Sequence, residues 1–215
     1  MGITIHNIIF DLGGVLIDLD IKRTGKAFGE LGITEPVGED EMMRRARIYS
    51  GLETGEISSL NFRNAIREIS TTSPSDSAID AAWNAMLLDF PAQRVEVLLN
   101  LRKKYRLFLL SNSNVIHHKS YTDKFRQDHG FEMNSLFERT YYSFEVHMKK
   151  PASDIFFKVI ADYKILAEET LFIDDTLENI KTAEVLGFKV HQIVNGEDVA
   201  TLFRDGIRND LFNNL

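Results

Sequence analysis

The chain of 215 residues is 44% hydrophobic and 27% charged, with 4 prolines, no cysteine and a formal net charge of −7. An acidic balance argues against nucleic acid or an anionic membrane as partner, because both reward clustered Lys and Arg. The missing thiols exclude disulfides, thiolate metal sites and cysteine nucleophiles. No apolar run approaches the ~20 residues of a membrane span, and the N-terminus lacks a secretory signal pattern, so a cytoplasmic protein without membrane or nucleic-acid partners is expected.

The first predicted element is the strand "NIIF", residues 7–10, which runs straight into Asp11 and then Gly13-Gly14. Burying an unpaired carboxylate is costly, so this charge belongs at a strand end, near water, a cation or a ligand. An ordinary polar turn is the plainer reading of the same residues. Residues 18–89 read as consecutive amphipathic helices: "KRTGKAFGELG", "EDEMMRRARIYSGLETGE", "SSLNFRNAIREIS" and "DSAIDAAWNAMLL". The linker "TTSPSDS" carries helix start signals.

From residue 90 helices alternate with short apolar strands. The helix "AQRVEVLLNLRKKY" leads to the strand "RLFLL", which ends in "SNSN", residues 111–114. A weaker strand, "ERTYYSF", precedes "MKKPASDIFF", a lysine pair set before a proline that opens the helix "SDIFFKVIADYKI". The strand "TLFI" ends in "DDTLEN", residues 174–179, and is followed by the helix "LENIKTAEVLGF" and the strand "KVHQIV". The basic spots "MMRRAR" and "LRKKYR" read as solvated helix faces. Alternation of this kind predicts an α/β fold with a Rossmann-like, doubly wound parallel sheet. Residues 1–17 and 90–215 form the core domain, and the helices of 18–89 form a cap over the strand ends. A separate helical domain remote from the site is the alternative.

In such sheets ligands collect beyond the carboxyl ends of the strands. Asp11, Asp174, Asp175, one serine hydroxyl and one lysine therefore converge on one edge. Carboxylates held that close repel unless they share a cation. Oxygen donors without His or Cys suit Mg²⁺, which pairs naturally with phosphate.

The four motifs "FDLGGVL", "LLSNSN", "KKPASDIF" and "FIDDTLENI" resemble, in this order, those of the haloacid dehalogenase-like hydrolase superfamily, in its C1 branch with a helical cap after the first strand. The resemblance implies that Asp11 is the nucleophile and forms an aspartyl-phosphate. It implies Mg²⁺ held by Asp11, the Gly13 carbonyl and Asp175, with Asp174 orienting the metal's waters. Asn179 falls where relatives carry a further acid or amide. Ser111 and Asn112 are expected to hold phosphate oxygens, and Lys150 to neutralise the nucleophile and the developing charge. Lys149 reads as a solvated neighbour, His117 and His118 as helix-surface residues, and Trp83, Phe125 and Phe131 as packing.

One position departs from the family pattern. Phosphatases of the superfamily carry a second aspartate, a general acid–base, two residues after the nucleophile. Here that position is Gly13, and losing such a group costs on the order of 10²–10⁴-fold in rate. Asp18, Asp20, Glu53 and Glu56 are the candidates for an acid that stands in. Alternatively the substrate has a good leaving group, because the "FDLGxV" form resembles bacterial phosphatases of sugar 1-phosphates. The expected function is Mg²⁺-dependent hydrolysis of a small phosphorylated metabolite, a sugar phosphate, by a monomer or homodimer. A slow phosphometabolite-binding or regulatory protein and a phosphotransferase or mutase are the alternatives. Dinucleotide chemistry is excluded because "DLGGVL" is not a GxGxxG turn.

Overall fold

The computed structural model describes residues 4–36, 38–194 and 196–203. The terminal parts of the expected core domain, 1–3 and 204–215, lie outside the described residues. Five strands form one parallel sheet: Asn7–Phe10 (β1), Arg106–Ser111 (β2), Arg139–Tyr142 (β3), Thr170–Asp174 (β4) and Lys189–Gln192 (β5). Their spatial order is β3-β2-β1-β4-β5. The central strands β1, β2 and β4 are buried almost throughout, which is why they read as unbroken apolar runs. The outer strands β3 and β5 are partly open, and the signal of β3 in the sequence is weaker for that reason.

Five helices separate β1 from β2: Ile21–Glu30 (α1), Glu39–Glu53 (α2), Ser59–Glu68 (α3), Asp76–Asn84 (α4) and Ala92–Leu101 (α5). The rest are Val115–His129 (α6), Ser143–Val146 (α7), Ser153–Tyr163 (α8), Leu177–Val185 (α9) and Val199–Leu202 (α10). None of the described helices is long and apolar enough to cross a membrane. The start signals act as caps. The Ser58 hydroxyl accepts from Asn61 N at 3.2 Å, and that of Ser75 accepts from Ala78 N at 3.2 Å, each cap worth about 1 kcal/mol.

Side chains alternate across each strand, so β1 feeds two apolar layers. Ile8 and Phe10 pack with Leu98, Leu109 and Phe125 on one face, while Ile9 packs with Phe108, Phe156 and Val159 on the other. A third cluster lies in the helices α1 to α4, around Phe28, Leu52, Phe62, Ile79 and Trp83, and takes in Ile116 from α6.

Two expectations need correction. "LRKKYR" is not a helix face. Helix α5 ends at Leu101, and Arg106 opens β2 with its guanidinium 5.3 Å from the Phe108 ring centroid and 5.7 Å from that of Tyr163. His117 does not lie on a helix surface either, since it is 8% exposed, and His118 is half-buried beside Tyr142 and Phe144. Residues His117, Tyr121 and Phe125 form the inward stripe of α6 at four-residue spacing. A histidine at the head of that stripe disguises it as polar sequence.

Candidate active site

The strand order reverses between β1 and β4, and both strands end in acid. Phe10 is in register with Ile173, and Asp11 N donates to the Ile173 carbonyl at 2.9 Å. Asp11 and Asp174 thus leave the sheet side by side. Lys150 reaches them from the loop between α7 and α8, its Nζ 2.8 Å from Asp11 Oδ1 and 2.6 Å from Asp174 Oδ2.

The other polar residues brace this triad. Asp174, fully buried, also accepts from Thr176 N at 2.8 Å and from Asn179 Nδ2 at 2.9 Å. Its lone pairs are committed. The Asn112 side chain is likewise occupied, donating to the Lys150 carbonyl at 2.8 Å and accepting from Lys150 N at 2.9 Å. Of Asn112, the main-chain amide is what remains for a ligand. Ser111, the last residue of β2, is buried at the same edge.

Oxygens of Asp11, Asp174 and Asp175 lie within 4.8 Å of one another. Three carboxylates against one ammonium leave two net negative charges when all are ionised. Burial pushes Asp11 up to about 7, against the pull of Lys150 and with the charge of Asp174 adding to it. Burial and Asp174 also raise Asp175. Although burial opposes its charge, the carboxylates of Asp11 and Asp174 hold Lys150 above its ordinary value. A hard dication fits this donor set: it relieves the excess charge, and the donors are all oxygen. Asp175, exposed and, among the described residues, bonded through its side chain only to Thr176 Oγ1 at 3.3 Å, retains lone pairs for it.

The loop after β1 is wound tightly against Asp175. Gly14 N donates to the Ile17 carbonyl, and Leu16 N and Ile17 N both donate to that of Leu12, each at 2.8 Å. Gly14 has φ +72°, and a Cβ there would run into the Asp175 carboxylate, so only glycine fits. At Gly13 an added Cβ would stand 2.7 Å from Leu19 Cδ1. A side chain there would displace only the tip of the Leu19 side chain, which is 37% exposed.

The model of the family described as haloacid dehalogenase-like hydrolase matches residues 5–187, most of the chain. The chain belongs to the haloacid dehalogenase-like hydrolases. Among its relatives it is 31% identical to D-ribitol-5-phosphate phosphatase of Bacteroides thetaiotaomicron, over 90% of this chain and 94% of that one. It is 39% identical, with a TM-score of 0.84, to an enzyme of the same family from Bacteroides thetaiotaomicron in complex with magnesium and inorganic phosphate, covering 93% of this chain and 100% of that one. A HAD-like family hydrolase of Porphyromonas gingivalis is 34% identical with a TM-score of 0.84, covering 94% and 97% of the two chains.

A cavity of about 180 Å³ in this hydrolase opens between the strand-end loops and the helices α1 to α4. Its walls include Gly13, Ser111 and Asn112 on one side and Glu53, Trp83 and Met86 on the other, with His117 between. Of the four acids considered as stand-ins, Glu53 alone lines this cavity. Asp18 turns away to Arg94 at 2.8 Å, Asp20 caps α1 by accepting from Lys22 N at 3.1 Å, and Glu56 is exposed. Lys149 is no freely solvated neighbour, because its Nζ lies 3.1 Å from Glu53 Oε2. Sequence reasoning underrated His117. The signal available was its place three residues after Asn114, whose side chain caps α6 by accepting from Ile116 N and His117 N.

Proposed function

We propose that this hydrolase is a Mg²⁺-dependent phosphatase of a small phosphorylated sugar or polyol, acting through an aspartyl-phosphate on Asp11. The observation that carries the reading is the buried Asp11–Lys150–Asp174 triad with Asp175 beside it, an anionic edge matched to a dication and a phosphoryl group. The relative named for D-ribitol 5-phosphate supports a polyol or sugar ester, and the magnesium and phosphate complex of another supports the cofactor.

Asp11, the main-chain carbonyl of Gly13 and Asp175 hold the cation. When bound, Mg²⁺ neutralises carboxylate and phosphoryl charge and so favours attack of one anion on another. Lys150 grips Asp11 Oδ1 and leaves Oδ2 to attack phosphorus. The new bond runs from Asp11 Oδ2 to phosphorus, and the bond from phosphorus to the ester oxygen breaks, its electron pair leaving with the alcohol oxygen. That oxygen takes its proton from water. A second water then attacks phosphorus, frees phosphate and restores the Asp11 carboxylate. Ser111 Oγ and the Asn112 main-chain amide hold the transferring oxygens, and Lys150 offsets their charge. Asp174 and Asn179 keep Lys150 and the neighbouring loop in place. Residues 18–89 serve as the cap over the core formed by 1–17 and 90–215.

Gly13 in place of a general acid–base favours one rival, a protein that binds such esters and turns them over slowly. Phosphate release from D-ribitol 5-phosphate, sugar 1-phosphates and acetyl phosphate, with and without Mg²⁺, separates the two. Metal-dependent release that drops at least about 10³-fold in Asp11→Asn is the expected outcome. Wild type as inert as the variant on every ester sinks the enzyme reading.

A further inference from the structure

We propose that His117 and Glu53 choose the substrate by accepting hydrogen bonds from hydroxyl groups of an uncharged polyhydroxy tail, and that they reject anionic tails. The inference rests on the phosphatase reading above and concerns the part of the ester remote from phosphorus.

The chemistry of the cavity wall leads to it. His117 Nδ1 lies 2.8 Å from Asn84 Oδ1. That amide oxygen has only lone pairs to offer, so the ring carries its proton on Nδ1 and Nε2 is left as a bare acceptor. Among the described residues Nε2 has no hydrogen-bond partner, while the ring itself lines the cavity. The imidazole lies nearly parallel to the Trp83 indole, centroids 5.0 Å apart and planes 11° from parallel, and the contact with Asn84 sets which nitrogen faces that amide. Burial lowers its pKa to about 4, which keeps the acceptor unprotonated at neutral pH.

Glu53 supplies the second acceptor. Its Oε2 is engaged by Lys149, so Oε1 remains for a ligand. Two acceptors beside the apolar Leu19 and Met86 call for donors and apolar edges, which a chain of CH–OH units provides. A carboxylate or second phosphate would set lone pairs against lone pairs, with no lysine or arginine among the described residues of the wall and the nearby Lys149 already paired with Glu53. A cavity of about 180 Å³ holds on the order of six waters at ~30 Å³ each, room for a few CH–OH units.

The test is a set of selectivity ratios in kcat/KM for D-ribitol 5-phosphate, 2-phosphoglycolate (a carboxylate tail) and acetyl phosphate (no hydroxyl). Wild type should favour the ribitol ester over 2-phosphoglycolate. His117→Leu should cut the ratio of ribitol ester to acetyl phosphate about tenfold, mainly through KM, and His117→Gln, which keeps an acceptor, should recover part of it. Glu53→Gln should shift selectivity towards 2-phosphoglycolate, because it removes an anion and frees Lys149. That variant lies at a half-buried helix end, so it tests the idea even if His117→Leu fails to fold. Variants that slow all three esters in step, or a wild type that hydrolyses esters without regard to their tails, overturn the inference and leave the phosphatase reading standing. A wild type inert on all three overturns the phosphatase reading, and the inference falls with it.

Discussion

At Lys150 two buried carboxylates share a single ammonium, so its removal would leave both uncompensated, a change that typically costs about 3–5 kcal/mol. His117 is the opposite case, a buried titratable group held neutral. Its pKa falls from 6.5 to about 4 on folding, so between those values the unfolded chain binds more protons than the folded one. Stability is therefore fully present above about pH 6.5 and is lost as pH falls towards 4. At pH 5 the loss from this one ring is about 2 kcal/mol. Urea unfolding of wild type and His117→Gln at pH 7 and pH 5 checks the sign: the variant should lose less stability on acidification, by roughly that amount. Asp11 and the Asp174-Asp175 pair were legible in the sequence because charge interrupts strands that want to be buried. His117 was underrated, because the Asn114 cap marks its place in the first turn of α6 but the packing that turns that face inward is not local.

Among the elements, the end of α2 shows how a helical segment is held against the core. Lys149 pairs with Glu53, and His147 Nδ1 lies 2.8 Å from the Thr54 carbonyl. Gly55 between them has φ +72°, and a Cβ there would press on the Phe144 carbonyl oxygen. Gly55→Ala forces both a left-handed backbone on a residue that resists it and a displacement of α7. A loss of about 1–3 kcal/mol is expected by urea titration, together with lower kcat/KM on the preferred ester because Glu53 shifts. The glycine near the end of "EDEMMRRARIYSGLETGE" was visible beforehand, but not its reason. The glycine answers to a carbonyl more than eighty residues further along the chain.

For the whole molecule, the helices α1 to α4 and the sheet domain meet through side chains of both. Asn84 pairs with His117, Asp18 with Arg94, and Ile116 closes the helical core. The excess negative charge at the sheet edge opposes folding, so a dication bound there should stabilise the entire chain by mass action. At a Mg²⁺ concentration 100 times its Kd the gain is about 2.7 kcal/mol. Thermal or urea unfolding with Mg²⁺ and with EDTA measures it, and Asp175→Asn should forfeit most of the gain. A wild type equally stable in both conditions contradicts a magnesium site at this edge.

The sequence alone determined the class of fold, the order of the strands along the chain and the acids that close them. Those features are local: apolar runs of strand length, cap residues before helices, charge where a strand ends. Which strands became neighbours, and hence that Lys150 stands between Asp11 and Asp174, was decided only by the tertiary structure. So was the approach of Leu19 to Gly13, and the meeting of Glu53, Trp83 and His117 around one cavity. The reason is physical. Each of these contacts joins side chains from elements far apart in sequence, and their geometry follows from the packing of whole helices on the sheet rather than from the preferences of the residues themselves.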